Sequence, residues 1–289
     1  MLANITPLIL THNEAPNIGR TLEQLRWARD VVVVDSFSSD DTLAIISSFS
    51  NARVYRREFD THDNQWNFGL KQTGIDSEWI LALDADYILT PEFADELREL
   101  QPQSQTLGYR AAFTYCINGR QLRSGIYPPV TVLYRRQAGN YIQDGHTHKL
   151  VLDGRVENLC ARLLHDDRKS LSRWFEAQSR YTKLEALKLQ NTDKAELGWR
   201  DRIRRWRIVA PPAMLFYCLV VRLGVLDGLA GLYYACQRAL AELMLSLYLL
   251  EGDLGVLRPR SKALKAATDN SEQEVAGASP FSDLPNIRS

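Results

Sequence analysis

Trp79-Ile80-Leu81-Ala82-Leu83-Asp84-Ala85-Asp86 sets an unbroken apolar run directly before two carboxylates. A short apolar run bounded by polar residues reads as a strand buried on both faces, and such strands belong to parallel sheets covered by helices. The two acids then stand where the strand leaves the sheet. Hard divalent cations take oxygen ligands of this kind, and a cation held there is suited to carry a diphosphate. Acidic residues also end strands simply because water solvates them, so the segments on either side must decide.

Upstream, Leu8-Ile9-Leu10 is followed by Thr11-His12-Asn13-Glu14 and then by apolar residues at helical spacing from Ile18 to Trp27. That order predicts strand, polar loop, helix. The unit repeats: Val31 to Val34 is a β-branched run, Asp35 to Thr42 a polar turn whose Asp and Ser residues suit a helix cap, and Leu43 to Phe49 a helix. A third strand is predicted at Ala52 to Tyr55 and a further helix at Gln65 to Thr73. Alternation of this sort predicts an α/β fold with a mostly parallel central sheet flanked by helices. Ligands in such folds sit beyond the carboxyl ends of the strands, where Thr11, Asp35 and Asp84 all fall. No Gly-rich phosphate loop follows the first strand, so phosphate must be neutralised differently, with a metal on Asp86 as the candidate.

Taken together, Thr11-His12-Asn13-Glu14 with Asn17-Ile18, Val33-Val34-Asp35-Ser36 with Ser38 and Asp41-Thr42, Gln65 to Leu70, and Leu83-Asp84-Ala85-Asp86 resemble the family 2 glycosyltransferases of GT-A fold. Within that family the chain is similar to the lipopolysaccharide-core glucosyltransferase branch, most clearly over about residues 5 to 95 and more loosely to about 255. The resemblance implies that Thr11, Asn13, Glu14 and Asp35 with Ser36 line a nucleotide pocket. It places Asp84 near ribose and metal, with Asp86 holding a Mg or Mn ion that bridges the donor diphosphate. It further implies a nucleoside-diphosphate sugar as donor, with UDP as the expected carrier. Tyr87 stands where the family often carries a further acid. Asn67 and Lys71 lie one helical turn apart and are candidates to face the donor together, though a solvated helix face explains Lys71 equally.

Beyond residue 100, strands are predicted at Leu107 to Ile117 and Val130 to Tyr134, with Gly119 at a turn. Tyr127-Pro128 and Leu133-Tyr134-Arg135-Arg136 are similar to an element of the same branch. Arg135 and Arg136 are candidates to meet a phosphate, or else end a strand in water. An inverting transfer needs a base for the acceptor hydroxyl. Asp144, in Asp144-Gly145-His146-Thr147-His148, is the first candidate and His148 its competitor, because no Glu occurs between Glu99 and Glu157. His146 and His165 are candidates for metal or diphosphate contact.

From Leu171 to Gln190 apolar residues recur at helical intervals. Arg200, Arg202, Arg204, Arg205 and Arg207 then lead into Ile208 to Val221, a run interrupted by Pro211 and Pro212. Cations beside apolar residues suit the anionic cytoplasmic face of a bilayer. The run is shorter than a span of about 20 residues, and Asp227, Arg238 and Glu242 interrupt the next, so interfacial helices are expected. A soluble helical subdomain or dimer interface is the alternative.

The 289 residues carry 35 Lys plus Arg against 35 Asp plus Glu, which gives no support for nucleic acid as partner. Cys116, Cys160, Cys218 and Cys236 form no CxxC pair, and no N-terminal signal pattern precedes the first strand. The expected organisation is a nucleotide-sugar-binding half (1–100), an acceptor-side half (101–168), a helical membrane-interface region (169–258) and a flexible tail (259–289). The expected function is metal-dependent, inverting sugar transfer to a lipid-linked or envelope glycan by a protein lying peripherally on the inner face of the cytoplasmic membrane. A polyprenyl-phosphate sugar transferase and a noncatalytic binding module on the same fold are the alternatives.

Overall fold

The structure, a computed structural model, describes residues 1–144, 147–193 and 198–255. Strand β1 (Ile5–Thr11), helix α1 (Ile18–Glu23), β2 (Val31–Asp35), α2 (Thr42–Ser47), β3 (Ala52–Arg56), α3 (His62–Gln72) and β4 (Trp79–Asp84) alternate as the pattern predicts. There follow β5 (Tyr87–Leu89), α4 (Pro91–Glu99), β6 (Thr106–Ile117), β7 (Arg120–Gln121), β8 (Val130–Arg135), β9 (Asn140–Asp144), β10 (Thr147–Val151) and β11 (Arg155–His165). The main sheet has the order β3-β2-β1-β4-β8-β6-β11-β5, with β7 beside β6, while β9 and β10 form a separate hairpin. β1, β2, β3, β4, β6 and β11 share one direction and β5, β7 and β8 oppose it, so the sheet is mostly parallel.

The apolar runs lack alternation because both faces are covered. Ile9, Val31, Val33, Leu81 and Leu83 pack with Ile18 and Leu22 of α1, Ile46 of α2 and Phe93 of α4. Their neighbours Leu8, Val32, Val34, Ile80 and Ala82 face the opposite way, onto Trp66 and Leu70 of α3 and Tyr141 of β9. With the strand directions aligned, the carboxyl ends of β1, β2, β4, β6 and β11 emerge on one edge. That edge carries Thr11, Asp35, Asp84, Tyr115 and His165.

The C-terminal part is helical: α5 (Leu171–Asn191), α6 (Trp199–Arg204), α7 (Ala210–Phe216) with a π turn at Tyr217–Val221, and α8 (Gly228–Asp253). Pro211 and Pro212 do not break α7 as the sequence suggested; they occupy its first turn, where a missing N–H costs nothing. The arms Arg207–Val221 and Gly224–Asp253 meet at a 71° bend. That bend requires glycine: a Cβ on Gly231 would lie 2.1 Å from the Gly224 carbonyl oxygen, and Gly228 has φ +62°. Among the described residues no single helix is long and apolar enough to cross a membrane.

Candidate functional site

Asp84-Ala85-Asp86 turns the chain from β4 into β5, and Thr21 of α1 fixes the turn by donating from Oγ1 to the Ala85 carbonyl at 2.6 Å. Asp86 is buried, and its Oδ2 lies 3.1 Å from His165 Nε2. His165 reaches it because the end of β11 is in register with both Tyr87 and Tyr115. Three phenol rings stand edge-on around the imidazole, with centroids at 5.5 Å (Tyr87), 4.8 Å (Tyr115) and 4.5 Å (Tyr127). The hydroxyls of Tyr87 and Tyr127 share a hydrogen bond of 2.6 Å.

The electrostatics follow from this packing. Burial opposes charge on Asp86, but His165 beside it holds its carboxyl below the usual range. Burial likewise opposes charge on His165, and Asp86 and Asp84 nonetheless raise it above an ordinary imidazole. Asp84 has no such counter-ion in contact; burial and the Asp86 charge push it up to about 6. Asp86 Oδ1 and His165 Nδ1 are both buried and without a hydrogen-bond partner. An orphaned carboxylate oxygen such as Asp86 Oδ1 fits a bound cation, since a buried polar atom left unpaired is costly, and His165, whose proton Asp86 favours, would join as a ligand through Nε2 on releasing it. Among the described residues no group of three or more His, Cys, Asp or Glu is placed to hold a metal ion. Asp86 and His165 would therefore supply two ligands, leaving further positions for water and substrate oxygens.

Behind this pair runs a charged network that the sequence reading did not include. The Asp166 backbone N–H donates to the Asp86 carbonyl at 3.1 Å. The Asp166 carboxylate accepts from Arg20 Nη1 (2.7 Å), Arg168 Nε (3.0 Å) and the Gly119 N–H (2.9 Å). Asn17 donates to both Glu14 (2.9 Å) and Asp167 (2.8 Å). Lys169 Nζ reaches Glu14 Oε1 at 2.7 Å. Burial pushes the Glu14 carboxyl up to about 7, with Lys169 opposing and Asp86 adding to the rise. Glu14, Asp167 and Asp86 hold Lys169 protonated although burial works against its charge. The available signal was His165-Asp166-Asp167-Arg168-Lys169, a charged run closing an apolar strand in the same manner as Asp84 and Asp86.

The first two loops are stitched together at the same edge. Asp35 is fully buried; Oδ1 accepts from the Ser38 N–H at 2.9 Å, and Oδ2 from Thr11 Oγ1 at 3.0 Å and Ser38 Oγ at 2.5 Å. Asn13, at φ 56°, accepts from the Ser39 N–H at 2.8 Å, and Ser36 Oγ accepts from Gln65 at 2.7 Å. These side chains bond inward and shape the loops, so of the residues expected to line a nucleotide pocket Asp35 is engaged by Thr11 and Ser38, and Ser36 by Gln65. An open cleft of ≈ 420 Å³ lies between Asn13, Ser39 and Asp40 on one side and Lys169 and Arg173 on the other.

Other expected contacts are corrected more sharply. Arg135 is paired with Trp79 at the start of β4, so Arg135 and Arg136 sit at the edge opposite Asp84. There Arg135 donates to the Thr106 carbonyl at 3.0 Å and pairs with Glu78, and Arg136 donates to the Ser77 carbonyl at 3.1 Å. Asn67 binds the Tyr141 backbone in both directions, at 2.8 and 3.0 Å, and Lys71 reaches Asn140 at 3.0 Å. Both therefore fasten α3 to β9. His148 packs on the rings of Tyr141 (5.2 Å) and Trp66 (5.6 Å), and burial pushes it down to about 4, a poor base. Asp144 ends β9 opposite Thr147, while its side chain, and His146 altogether, lie outside the described residues.

Residues 8–147 match the model of glycosyl transferase family 2. The chain is 27% identical over 250 residues to the lipopolysaccharide core biosynthesis glycosyltransferase LpsC of Rhizobium meliloti (strain 1021), covering 81% of this chain and 87% of that one. It is 31% identical over 144 residues to an uncharacterized glycosyltransferase of Rickettsia bellii (strain RML369-C), where it spans only 48% of the relative and 47% of itself. Among solved structures it is similar to S. aureus TarS 1-349 in complex with UDP-GlcNAc, at 15% identity and a TM-score of 0.45, covering 87% of this chain and 92% of that one.

Proposed function

Through residues 8–147 the chain belongs to glycosyltransferase family 2, and on that premise we propose that it moves a sugar, with inversion, from a nucleoside-diphosphate donor to a hydroxyl of a lipid-linked cell-envelope glycan. The observation that carries the reading is the Asp86–His165 pair at the carboxyl edge, each residue with one buried atom still unpartnered. Similarity to a lipopolysaccharide core transferase over most of both chains supports the envelope as the destination.

Asp86 and His165 are the residues we assign to a Mg or Mn ion, whose chemistry is to offset charge on the leaving diphosphate. Tyr87, Tyr115 and Tyr127 close the space around His165 and limit water there. Asp166 and Arg20 hold the end of β11 against Asp86, so neither ligand must be ordered when the donor arrives. Lys169, cationic beside Glu14, adds a positive charge near the acids. For the base that takes the acceptor proton we retain Asp144 as the assignment. The cytoplasmic face of the membrane is the proposed location, since the arginine-rich helical region suits it.

Calorimetric titration with UDP-, GDP- and dTDP-sugars in Mn, Mg or chelator tests this reading. One nucleotide is expected to bind with metal only, and Asp86→Ala or His165→Ala to lose that binding while keeping the thermal melt. Binding that survives chelation and both substitutions removes the pair from the metal role.

A further inference from the structure

α8 is turned inside out for a helix facing water. Glu242 is 3% exposed and accepts from Arg204 Nη2 at 3.1 Å, so its charge lies in the interior. On the opposite face Leu229 (81% exposed), Tyr233, Leu243 (44%) and Leu247 (58%) follow one another at three-to-four-residue multiples, with Cys236 between them. A helix apolar on both faces, of which the protein covers one, needs an apolar neighbour for the other. The exposed surface continues round the bend through Val220, Val221, Leu223, Val225 (60%) and Leu226 (61%) to Phe216 and Ile208 on the second arm.

We propose that this bent pair seats in one leaflet of an anionic bilayer, with the side chains of Val225, Leu226 and Leu229 entering deepest and Arg222 and Asp227 turned to the backbone of 123–125. Three observations favour lipid over a second copy of the chain. The exposed apolar side chains run across both arms of a 71° bend rather than along one straight helix face, a shape to which a fluid leaflet adapts. Trp206, 67% exposed, lies among the arginines where they lead into the apolar run from Ile208, a residue pairing typical of an interfacial helix. From Arg200 to Arg207 the sequence holds five arginines and a single acid, Asp201, in a chain of zero formal net charge; Arg204 is taken up by Glu242 and Arg207 by Asp253, and the cationic excess that remains is local to this region.

The seat is also fastened to the reaction edge. Asp227 accepts from the N–H groups of Arg123 (3.2 Å) and Ser124 (3.0 Å), and Arg222 donates to the Gly125 carbonyl at 3.0 Å. Two residues on, Tyr127 touches His165. A leaflet holding 220–229 thus sits beside the mouth of the site, which is where a lipid-linked acceptor must enter; this last step rests on the proposed function, whereas the seating does not.

Flotation of the full chain with vesicles of phosphatidylglycerol and phosphatidylethanolamine tests the seating, with phosphatidylcholine vesicles as the uncharged control. Leu226→Ser with Leu229→Ser is expected to weaken partition by about tenfold or more, and replacing the anionic lipid to weaken it similarly. Both side chains are exposed, so the melt and nucleotide titration remain as controls of folding. Partition within about twofold of the parent for Leu226→Ser with Leu229→Ser overturns the proposal. So does a lipid-free dimer, by sedimentation velocity, that Leu243→Ser with Leu247→Ser dissociates. Vesicle binding without nucleotide binding would sink the enzymatic reading and leave the seating intact.

Discussion

Glu14 is the residue at which pH reports on the site. The folded protein keeps the Glu14 proton up to about 7, whereas the unfolded chain releases it near 4.5. Between those values the folded state binds more protons, so stability falls as pH rises, by up to about 3 kcal/mol, and is fully relieved below the lower value. Glu14→Gln is expected to flatten that part of the stability curve in urea titrations from pH 4.5 to 7.5; a curve parallel to the parent's refutes the assignment. Asp166→Ala removes the buried partner of Arg20, Arg168 and the Gly119 N–H, and since both arginines are partly exposed to water the loss is expected to cost about 1–3 kcal/mol. It is also expected to weaken metal-dependent donor binding, because the lost carboxylate fastens the residue after His165 to Arg20 and to the Gly119 N–H; unchanged metal titration would confine it to stability. The place of Asp84 and Asp86 at the end of a buried strand was legible from the sequence, because the apolar run stops at them. Lys169 was not: 155 residues separate it from Glu14, and nothing local in either segment announces the other.

At the scale of elements, the first hundred residues could be read because each strand is an unbroken apolar run between polar loops, and each helix has the longer period. β11 could not. Its pairing with β6 shifts register between Arg155 and Val156 and again between Asn158 and Arg162, which destroys the alternation that would mark a strand. The backbone contacts of Asn67 were not foreseen for a related reason: a polar residue on a helix looks the same whether it faces a ligand or another backbone. Asn67→Ala should therefore lower stability by about 1–3 kcal/mol, through the Tyr141 groups it leaves unpaired, without changing donor affinity. A shifted nucleotide Kd with an unchanged melt would return Asn67 to the donor pocket. The bend before α8 is the other element under tight constraint. Gly231→Ala pushes a Cβ against the Gly224 carbonyl, and an overpacked contact of that sort costs about 1–3 kcal/mol. The expected readout is a lower Tm, and an unaltered Tm would mean that the bend relaxes freely.

Over the whole molecule, the balanced charge of the chain says little, and its distribution says more. Acids gather at the carboxyl edge of the sheet around Asp84, Asp86 and Asp166, while arginines gather between Arg200 and Arg222, where the exposed apolar surface begins. Composition averages these away, and only the fold shows that both regions meet at residues 123–127. One carboxylate gathers three of the contacts there, since Asp227 binds the N–H groups of Arg123 and Ser124 together with the Ser124 hydroxyl at 2.8 Å, beside Arg222 on the Gly125 carbonyl and the Tyr234 hydroxyl on the Ile126 N–H. If the membrane seat and the catalytic edge move as one body, a leaflet that orders 220–229 must also order 123–127. Amide hydrogen exchange on the full chain, with and without phosphatidylglycerol vesicles, reads both segments at once. The parent is expected to gain protection in both, and Asp227→Ala to gain it only in 220–229, with vesicle partition preserved. Protection of 123–127 that persists in Asp227→Ala would show that the coupling runs through other contacts, with Arg222 to Gly125 the next to remove.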